Sequence, residues 1–361
     1  MRILKNHIRL HLRRAYKFLV HRKLTAALLI LTSLYSVGLL RHAISLHPTH
    51  PAVNVVLPPE ALKHGDGAPY TIAVCALVQN EAPYIPEWIA YHRLIGIQHF
   101  FIYDNNSTDD LEAAVAPFAA RGWATIVKPS FSTNGTRVRE FQNECYTENE
   151  AAMSAHWLAS LDVDEFLVVP GASIDDQFHI LPRLLSMYED DLNCSGLVID
   201  RYSFTSGAYI DPPKHGLVIE NYVEREIEEV PPKEFWPKIL GIPKRMVFDS
   251  PHWYDEEESQ GKACLSDGKL PDRWGRTKVF EPLRIQHYEY RSNQECLEKL
   301  ARRAMDMGTD DWRVRVGKEH CNRVLHTGEG YDASNYVNDN TLSTSLWPQA
   351  IKLFLEKTML F

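Results

Sequence analysis

W-L-A-S-L-D-V-D-E-F-L-V-V-P, residues 157–170, sets an apolar run against three carboxylates, Asp162, Asp164 and Glu165, and then turns apolar again. On a strand, residues two apart point to the same side, so Asp162 and Asp164 are expected to aim at one point beyond the strand's end. Two carboxylates converging there suit a hard divalent cation. Mg²⁺ or Mn²⁺ takes a few carboxylate oxygens and fills its remaining positions with phosphate and water, which is how a diphosphate is held. A D-x-D taken alone more often closes a strand in a solvated turn. The aromatic and β-branched residues on both flanks are not what a solvated turn requires.

Upstream, residues 71–78, T-I-A-V-C-A-L-V, form a continuous apolar run of the kind a strand buried on both faces shows. It ends in Gln79-Asn80-Glu81. The following A-P-Y-I-P-E-W-I-A-Y-H-R-L-I-G has Pro in its first turn, apolar residues at helical spacing and Gly96 as a stop, so a helix is expected. Residues 97–103 read as a second strand ending in Asp104-Asn105-Asn106. Thr108 or Asp109 is expected to cap a helix to about Ala120, and residues 123–127 read as a third strand. Alternating strands and helices imply an α/β fold with a mostly parallel sheet and right-handed crossovers, whose ligands bind at the carboxyl ends of the strands. The three polar strand ends are therefore expected to face one crevice. A helix over residues 137–155 precedes the D-x-D and would bring Arg137, Gln142 or Asn143 toward a nucleotide.

These blocks carry a resemblance. V-Q-N-E-A-P-Y-I-P-E-W-I-A-Y-H-R-L-I-G-I-Q-H-F-F-I-Y-D-N-N-S-T-D resembles the opening signature of glycosyltransferase family 92 and its family-2-like relatives, and L-D-V-D-E-F resembles their metal-binding motif. Weaker matches follow in Ser203-Phe204-Thr205-Ser206-Gly207, in Lys238-Ile239 ahead of Pro251-His252, and in I-Q-H-Y-E-Y-R-S. The resemblance spans roughly residues 70 to 307 and implies a GT-A, Rossmann-like nucleotide-sugar transferase fold. It also implies Mn²⁺ (or Mg²⁺), a UDP-sugar donor, a glycan or polysaccharide acceptor and a single-pass type II Golgi membrane protein with a luminal catalytic domain. Many members transfer galactose from UDP-galactose with inversion, which sets the expected activity here. Carried over by position, Gln79, Asn80, Glu81 and Asp104 line the uridine site, joined by Gln142. Asp162 and Asp164 hold the metal and Glu165 braces it. His287 is the third ligand, with His252 as its rival, and Arg291 clamps the diphosphate where the family commonly has Lys. Glu165 and Arg291 are thus the expected catalytic residues. The acidic stretches 222–234 and 255–258 offer many carboxylates and single out no general base.

Composition bounds the alternatives. The 361-residue chain is 45% hydrophobic and carries a net charge of -8. Its first 50 residues hold nine of the 39 Lys and Arg and none of the 47 acids, so the remainder sets 30 basic against 47 acidic residues. So acidic a body argues against a nucleic-acid partner. Residues 24–40 are uncharged and span about 26 Å as a helix, near the lower limit for a bilayer. Eight basic residues precede them, which leaves the N-terminus cytosolic. A cleaved signal peptide is the alternative, but no small-x-small cleavage pattern follows. The expected organisation is a basic tail (1–23), a transmembrane anchor (24–40), a Pro- and Gly-containing stem (41–69), a catalytic domain (70–307) and a C-terminal extension (308–361). The extension includes a closing helix over 347–361, and an amphipathic helix with Leu297, Leu300, Ala301 and Ala304 on its apolar face spans 295–307. Six cysteines lack C-x-x-C spacing, which disfavours zinc and leaves 15 full pairings open. Sequons stand at Asn105, Asn106, Asn134 and Asn193. A membrane-anchored glycan-binding protein that keeps the fold without turnover is the second reading, and a phosphoesterase the third.

Overall fold

A computed structural model describes residues 53–58, 67–129, 141, 144–227, 236–271, 278–307, 321 and 333–359. The expected tail and anchor, most of the stem, and Arg137, Gln142, Asn143 and Asn134 lie outside them. Among the described residues no helix is long and apolar enough to cross a membrane. In chain order come β1 (Ile72–Val78), α1 (Ile85–Ile95), β2 (His99–Asp104), α2 (Leu111–Ala119) and β3 (Ala124–Val127). Next are α3 (Glu150–Met153), β4 (Trp157–Ser160), β5 (Glu165–Val168), α4 (Ile180–Ser186), β6 (Gly196–Ile199), β7 (Arg201–Ser203), α5 (Val218–Asn221) and β8 (Glu224–Glu226). The chain continues through β9 (Lys238–Gly241), β10 (Val247–Phe248), β11 (Tyr254–Asp255), β12 (Ala263–Leu265) and β13 (Arg284–His287), then α6 (Asn293–Met307), β14 (Tyr336–Asn338) and α7 (Trp347–Met359).

Seven strands form the central sheet in the order β12-β6-β9-β4-β1-β2-β3. All neighbours are parallel except β9, which runs antiparallel to both β4 and β6. The parallel register sets Ala73 opposite His99 and Val78 opposite Asp104, so β1 and β2 end together. Period-2 alternation splits their side chains between two cores. Ile72, Val74, Ala76, Val78, Phe100 and Ile102 face the larger one, with α1 and α2. Ala73, Cys75, Phe101 and Tyr103 face the smaller one, with Phe141 and Cys145. A strand buried on both faces reads as an unbroken apolar run, which is why β1 and β2 were legible.

α1 begins with Pro86 in its first turn and stops at Gly96, whose φ of 118° is left-handed. A side chain there would place its Cβ 2.4 Å from Pro182 Cδ, so glycine serves both the turn and the close approach of α4. The C-terminal helix α7 packs on α1 and α2, with Trp347 against Tyr91 and Phe354 against Trp123, ring centroids 5.3 and 5.5 Å apart. Val55, from the segment expected as stem, is buried in the same core.

Three local expectations are corrected. The helix expected over 137–155 is broken among its described residues: a π-helical turn, Glu144–Glu148, is followed by Asn149, whose side chain accepts from Ala152 N at 3.1 Å and starts α3 anew. Asn competes in this way with helical backbone bonding. Neither Thr108 nor Asp109 caps α2. Its N-cap is Asp110, without a side-chain bond. α6 begins earlier than expected, in a capping box: Ser292 Oγ accepts from Glu295 N and Glu295 Oε2 accepts from Ser292 N. Its expected apolar face is only half-buried, with Ala301 exposed, because the helix docks through Asn293 and Cys296 instead.

All six cysteines pair, Cys75 with Cys145, Cys194 with Cys264 and Cys296 with Cys321. The first two close loops of 70 residues and the third 25. Loop entropy in the unfolded chain makes each worth roughly 3 to 5 kcal/mol.

His92 ties α1 to β5. Its Nδ1–H donates to Trp88 O at 2.8 Å and its Nε2 accepts from Leu167 N at 3.2 Å, a pattern only the neutral ring satisfies. Burial pushes its pKa down to about 3. A histidine depressed in the folded state contributes stability that is full above the unfolded value near 6.5 and is lost as pH falls toward the folded one. Stability in urea is expected to drop between pH 6.5 and pH 4, with His92 supplying about 1.4 kcal/mol per pH unit over the steepest part. The variant His92→Gln should flatten that dependence; an unchanged slope would refute the assignment.

Candidate active site

The carboxylate turn lies where the chain changes sheets. β4 ends at Ser160, and β5 joins a separate three-stranded sheet in the order β5-β13-β7. Between them Asp162, Val163 and Asp164 form a turn closed by Glu165 N donating to Asp162 O at 3.0 Å. The strand ends before the acids, and the expectation that Asp162 and Asp164 share a strand face is corrected: they stand in the turn that follows β4. Leu161 and Val163 are buried, Asp164 is buried, and Asp162 leaves 51% of its side chain exposed. The turn is held from behind by α1. Trp88 Nε1 donates to Glu165 O at 2.9 Å and Tyr91 OH donates to Leu167 O at 2.7 Å.

Each carboxylate has a cation. Antiparallel pairing of β4 with β9, Leu158 opposite Gly241 and Ala159 opposite Leu240, carries Lys238 to the level of the turn. There Lys238, 3% exposed, bridges Asp162 Oδ2 and Glu165 Oε2, each 2.9 Å away. Glu165 is wholly buried. It also accepts from Asp162 N at 3.0 Å, and Arg201 Nη1 lies 3.5 Å from its other oxygen. It braces the turn from inside rather than facing the crevice. Asp164 Oδ2 accepts from Lys299 Nζ at 2.6 Å. Burial alone would raise the Asp164 pKa, but Lys299, then His287 and Arg291, hold its carboxyl well below the usual range. For Asp162 the desolvation of the site is likewise outweighed by Lys238, despite repulsion from Asp164. Glu289 follows suit: His287, Lys299 and Arg201 overcome burial and bring it to about 2.

His287 reaches this turn through β13, which pairs with β5 so that His287 stands opposite Glu165. Tyr288 N donates to Asp164 O at 2.7 Å and fixes the level. The Phe204-Thr205-Ser206-Gly207 turn follows β7 on the other side, Phe204 N donating to His287 O at 2.8 Å. His287 Nε2 lies 3.4 Å from Asp164 Oδ1, and that oxygen is buried without a hydrogen-bond partner. Neighbouring ligand atoms on an octahedral ion of this size stand about 3 Å apart. A carboxylate oxygen and an imidazole nitrogen thus fit two positions of Mn²⁺ or Mg²⁺, an ion that leaves the others to phosphate and water. Among the described residues no cluster of three His, Cys, Asp or Glu is preformed. His252 Nδ1–H donates to Pro237 O at 2.6 Å, and its ring feels the charges of Lys238, Glu165 and Arg201 behind the turn.

The nucleotide side is built from the ends of β1 and β2. Asn80, at φ 57°, accepts from Thr108 N at 2.7 Å, while its own N–H donates to Ser107 Oγ at 3.1 Å. Ala82 N donates to Asp109 Oδ2 at 2.8 Å. Thr108 and Asp109, expected as caps, thus lace the two strand ends together. Asp104 accepts from Ser107 N at 2.8 Å and from Lys128 Nζ at 2.6 Å. Gln79 is half-buried at the end of β1, and Gln142 lies outside the described residues. Arg291 spans from this side to the turn. One of its nitrogens donates to both Glu81 oxygens at 3.0 and 2.8 Å, and its guanidinium lies 3.8 Å over the Tyr84 ring.

Sequence reasoning missed Lys299, Arg201, Glu289 and Lys128. Lys238 was noticed only within a matched block, without a role. A charged residue opening the buried run K-I-L-G was its signal. Lys299 had none, because its place follows from how α6 docks.

Residues 68–181 match the model of glycosyltransferase family 92. Among curated proteins, a family 92 protein of Ricinus communis is 27% identical over 168 residues, covering 44% of this chain and 27% of its own length. A family 92 protein of Arabidopsis thaliana is 22% identical over 273 residues, covering 69% and 44%. One of Oryza sativa subsp. japonica is 31% identical over 122 residues, covering 31% and 19%. The chain spans less than half the length of these relatives. Among solved structures it is similar to S. aureus TarS 1–349 at TM-score 0.34 and 9% identity over 73% of each chain. It is also similar to glucosyl-3-phosphoglycerate synthase from Mycobacterium tuberculosis in complex with Mn²⁺, UDP and glucosyl-3-phosphoglycerate, at TM-score 0.25 and 20% identity, covering 37% and 44%.

Removing Lys238 would leave the wholly buried Glu165 with only the more distant Arg201, 3.5 Å away, to balance its charge. Lys238→Met is expected to destabilise the protein by about 3 to 5 kcal/mol in chemical denaturation, and Lys238→Met with Glu165→Gln by less than the two single changes summed. Additive effects would show that the two groups do not act as a pair.

Proposed function

We propose, from the family 92 match of residues 68–181 and the geometry of the carboxylate turn, that the protein is a metal-dependent glycosyltransferase. It takes a UDP-sugar as donor, with UDP-galactose favoured, and a glycan acceptor. The observation that carries this reading is the buried, unpartnered Asp164 Oδ1 facing His287 Nε2 at 3.4 Å, at the carboxyl edge of a parallel sheet. Ligands of open α/β sheets bind at that edge, and β4, β1 and β2 are adjacent and parallel there.

In this reading Asn80, Glu81 and Asp104, with Gln79, receive the uridine. Asp164 and His287 hold the divalent ion, joined by the half-exposed Asp162. Lys238 and Glu165 keep the turn in shape. The acceptor hydroxyl attacks C1 of the sugar from the face opposite the diphosphate, the C1–O bond to the diphosphate breaks, and the configuration inverts as the hydroxyl proton passes to a base. When bound, the ion supplies positive charge to the departing diphosphate. Three disulfides fit an oxidising compartment, in keeping with a luminal body in the Golgi, held by residues 24–40 as a type II anchor.

UDP release from a panel of UDP-sugars tests the proposal. Turnover should require Mn²⁺ or Mg²⁺, be fastest with UDP-galactose, and fall on the order of 100-fold or more in Asp162→Ala with Asp164→Ala. Unchanged turnover in that variant would overturn it. Metal-dependent UDP binding by calorimetry without any UDP release would favour a non-catalytic glycan-binding protein instead.

A further inference from the structure

Asp164 is already neutralised by a cation of the chain's own. Lys299 Nζ lies 2.6 Å from Asp164 Oδ2 and 3.4 Å from Glu289 O. The groups facing this ammonium are Asp164, Glu289 and Arg291, and His287 bears on the same carboxylates. Its position is set by the fold. Lys299 stands one helical turn beyond Cys296, whose disulfide to Cys321 and the nearby bond from Asn293 Nδ2 to Cys321 O hold the start of α6. Unlike Lys238, Lys299 keeps 30% of its side chain exposed. A flexible, partly exposed four-carbon stem can carry its ammonium off its partner without unfolding its helix.

Arg291 is the other cation facing the crevice, and it is anchored. It is 5% exposed, its Nη2 pairs with Glu81 and its guanidinium stacks on Tyr84, while its buried Nη1 has no hydrogen-bond partner. It can offer that nitrogen to a diphosphate without leaving Glu81, whereas a change of partner falls to Lys299. Two positive groups also cannot hold one carboxylate at close range without mutual repulsion, which is strong in a site of intermediate dielectric.

We propose that Lys299 is a resident counter-ion of the carboxylate turn. It neutralises Asp164 through Oδ2 in the donor-free protein, opposes by its charge a divalent ion arriving alone at Oδ1, and moves onto the diphosphate when ion and donor arrive together. The site thereby prefers the metal–nucleotide complex over the free metal. This inference rests on the glycosyltransferase reading for the identity of the diphosphate, but not for the competition at Asp164.

Mn²⁺ binding to the donor-free protein, measured by electron paramagnetic resonance, tests it. Lys299→Met should bind free Mn²⁺ on the order of tenfold or more tightly than the parent protein, because the competing ammonium is gone. Lys299→Arg, which keeps the charge, should stay near the parent. UDP in the presence of Mn²⁺ should bind the Met variant more weakly than the parent. If Lys299→Met proves marginally stable, Mn²⁺ should raise its melting temperature more than it raises the parent's, since ligand that binds only the folded state stabilises it. Free-Mn²⁺ affinity in Lys299→Met equal to or below the parent's, or an equal melting shift in both, would overturn the proposal. Absence of Mn²⁺-dependent UDP release in the parent would instead overturn the glycosyltransferase reading, so the two failures are distinguishable.

Discussion

Asp162 and Asp164 repel one another across one turn, and a lysine beside each holds its carboxyl below the usual carboxylate range. Lys238 bridges Asp162 and Glu165 from β9, and Lys299 meets Asp164 from α6. The balance is local and nearly complete, with Arg201 on Glu165 and Arg291 on Glu81. Buried ion pairs contribute little net stability against apolar replacements, but losing one partner is severe. Such a network is therefore better understood as a device that keeps acids charged and in place than as a source of stability.

That arrangement depends on a change of sheet. β4 belongs to the seven-stranded sheet and β5 to the smaller one, so the turn between them is gripped on several sides. α1 holds its far side through Trp88, Tyr91 and His92, three side chains one turn or less apart that bond to the backbone of Glu165 and Leu167. β13 holds its near side through Tyr288 N on Asp164 O. α7 in turn covers α1 from outside with Trp347, which meets Tyr91. The residues after 308 thus help to hold the helix that holds the turn.

Much of this was legible where one physical signal dominated. β1, α1, β2 and β3 fell within three residues of expectation because unbroken apolar runs, a first-turn proline and a stop glycine each point one way. The D-x-D was recognisable as a cluster of acids between apolar flanks, yet its strand conformation was wrong. Alternation cannot reveal that a chain leaves one sheet for another. The helix before it failed at Asn149, a residue whose side chain competes with the backbone. α6 too fell within two residues of expectation, S-N-Q-E spelling the capping box that starts it, but its apolar face was misassigned because a disulfide and Asn293 decide how it docks.

By itself, the sequence determined the alternation of the first strands and helices, the polar character of their carboxyl ends and the acids at 162, 164 and 165. These follow from local periodicity and residue chemistry, which act within a few positions of the chain. Only the tertiary structure decided which cation meets which acid, how six cysteines pair, and that Arg291 grips Glu81. Those partners stand tens to hundreds of positions apart, 76 for Lys238 and Asp162, 135 for Lys299 and Asp164, 210 for Arg291 and Glu81. Electrostatic pairing depends on distance in space, and sheet order and helix docking set that distance.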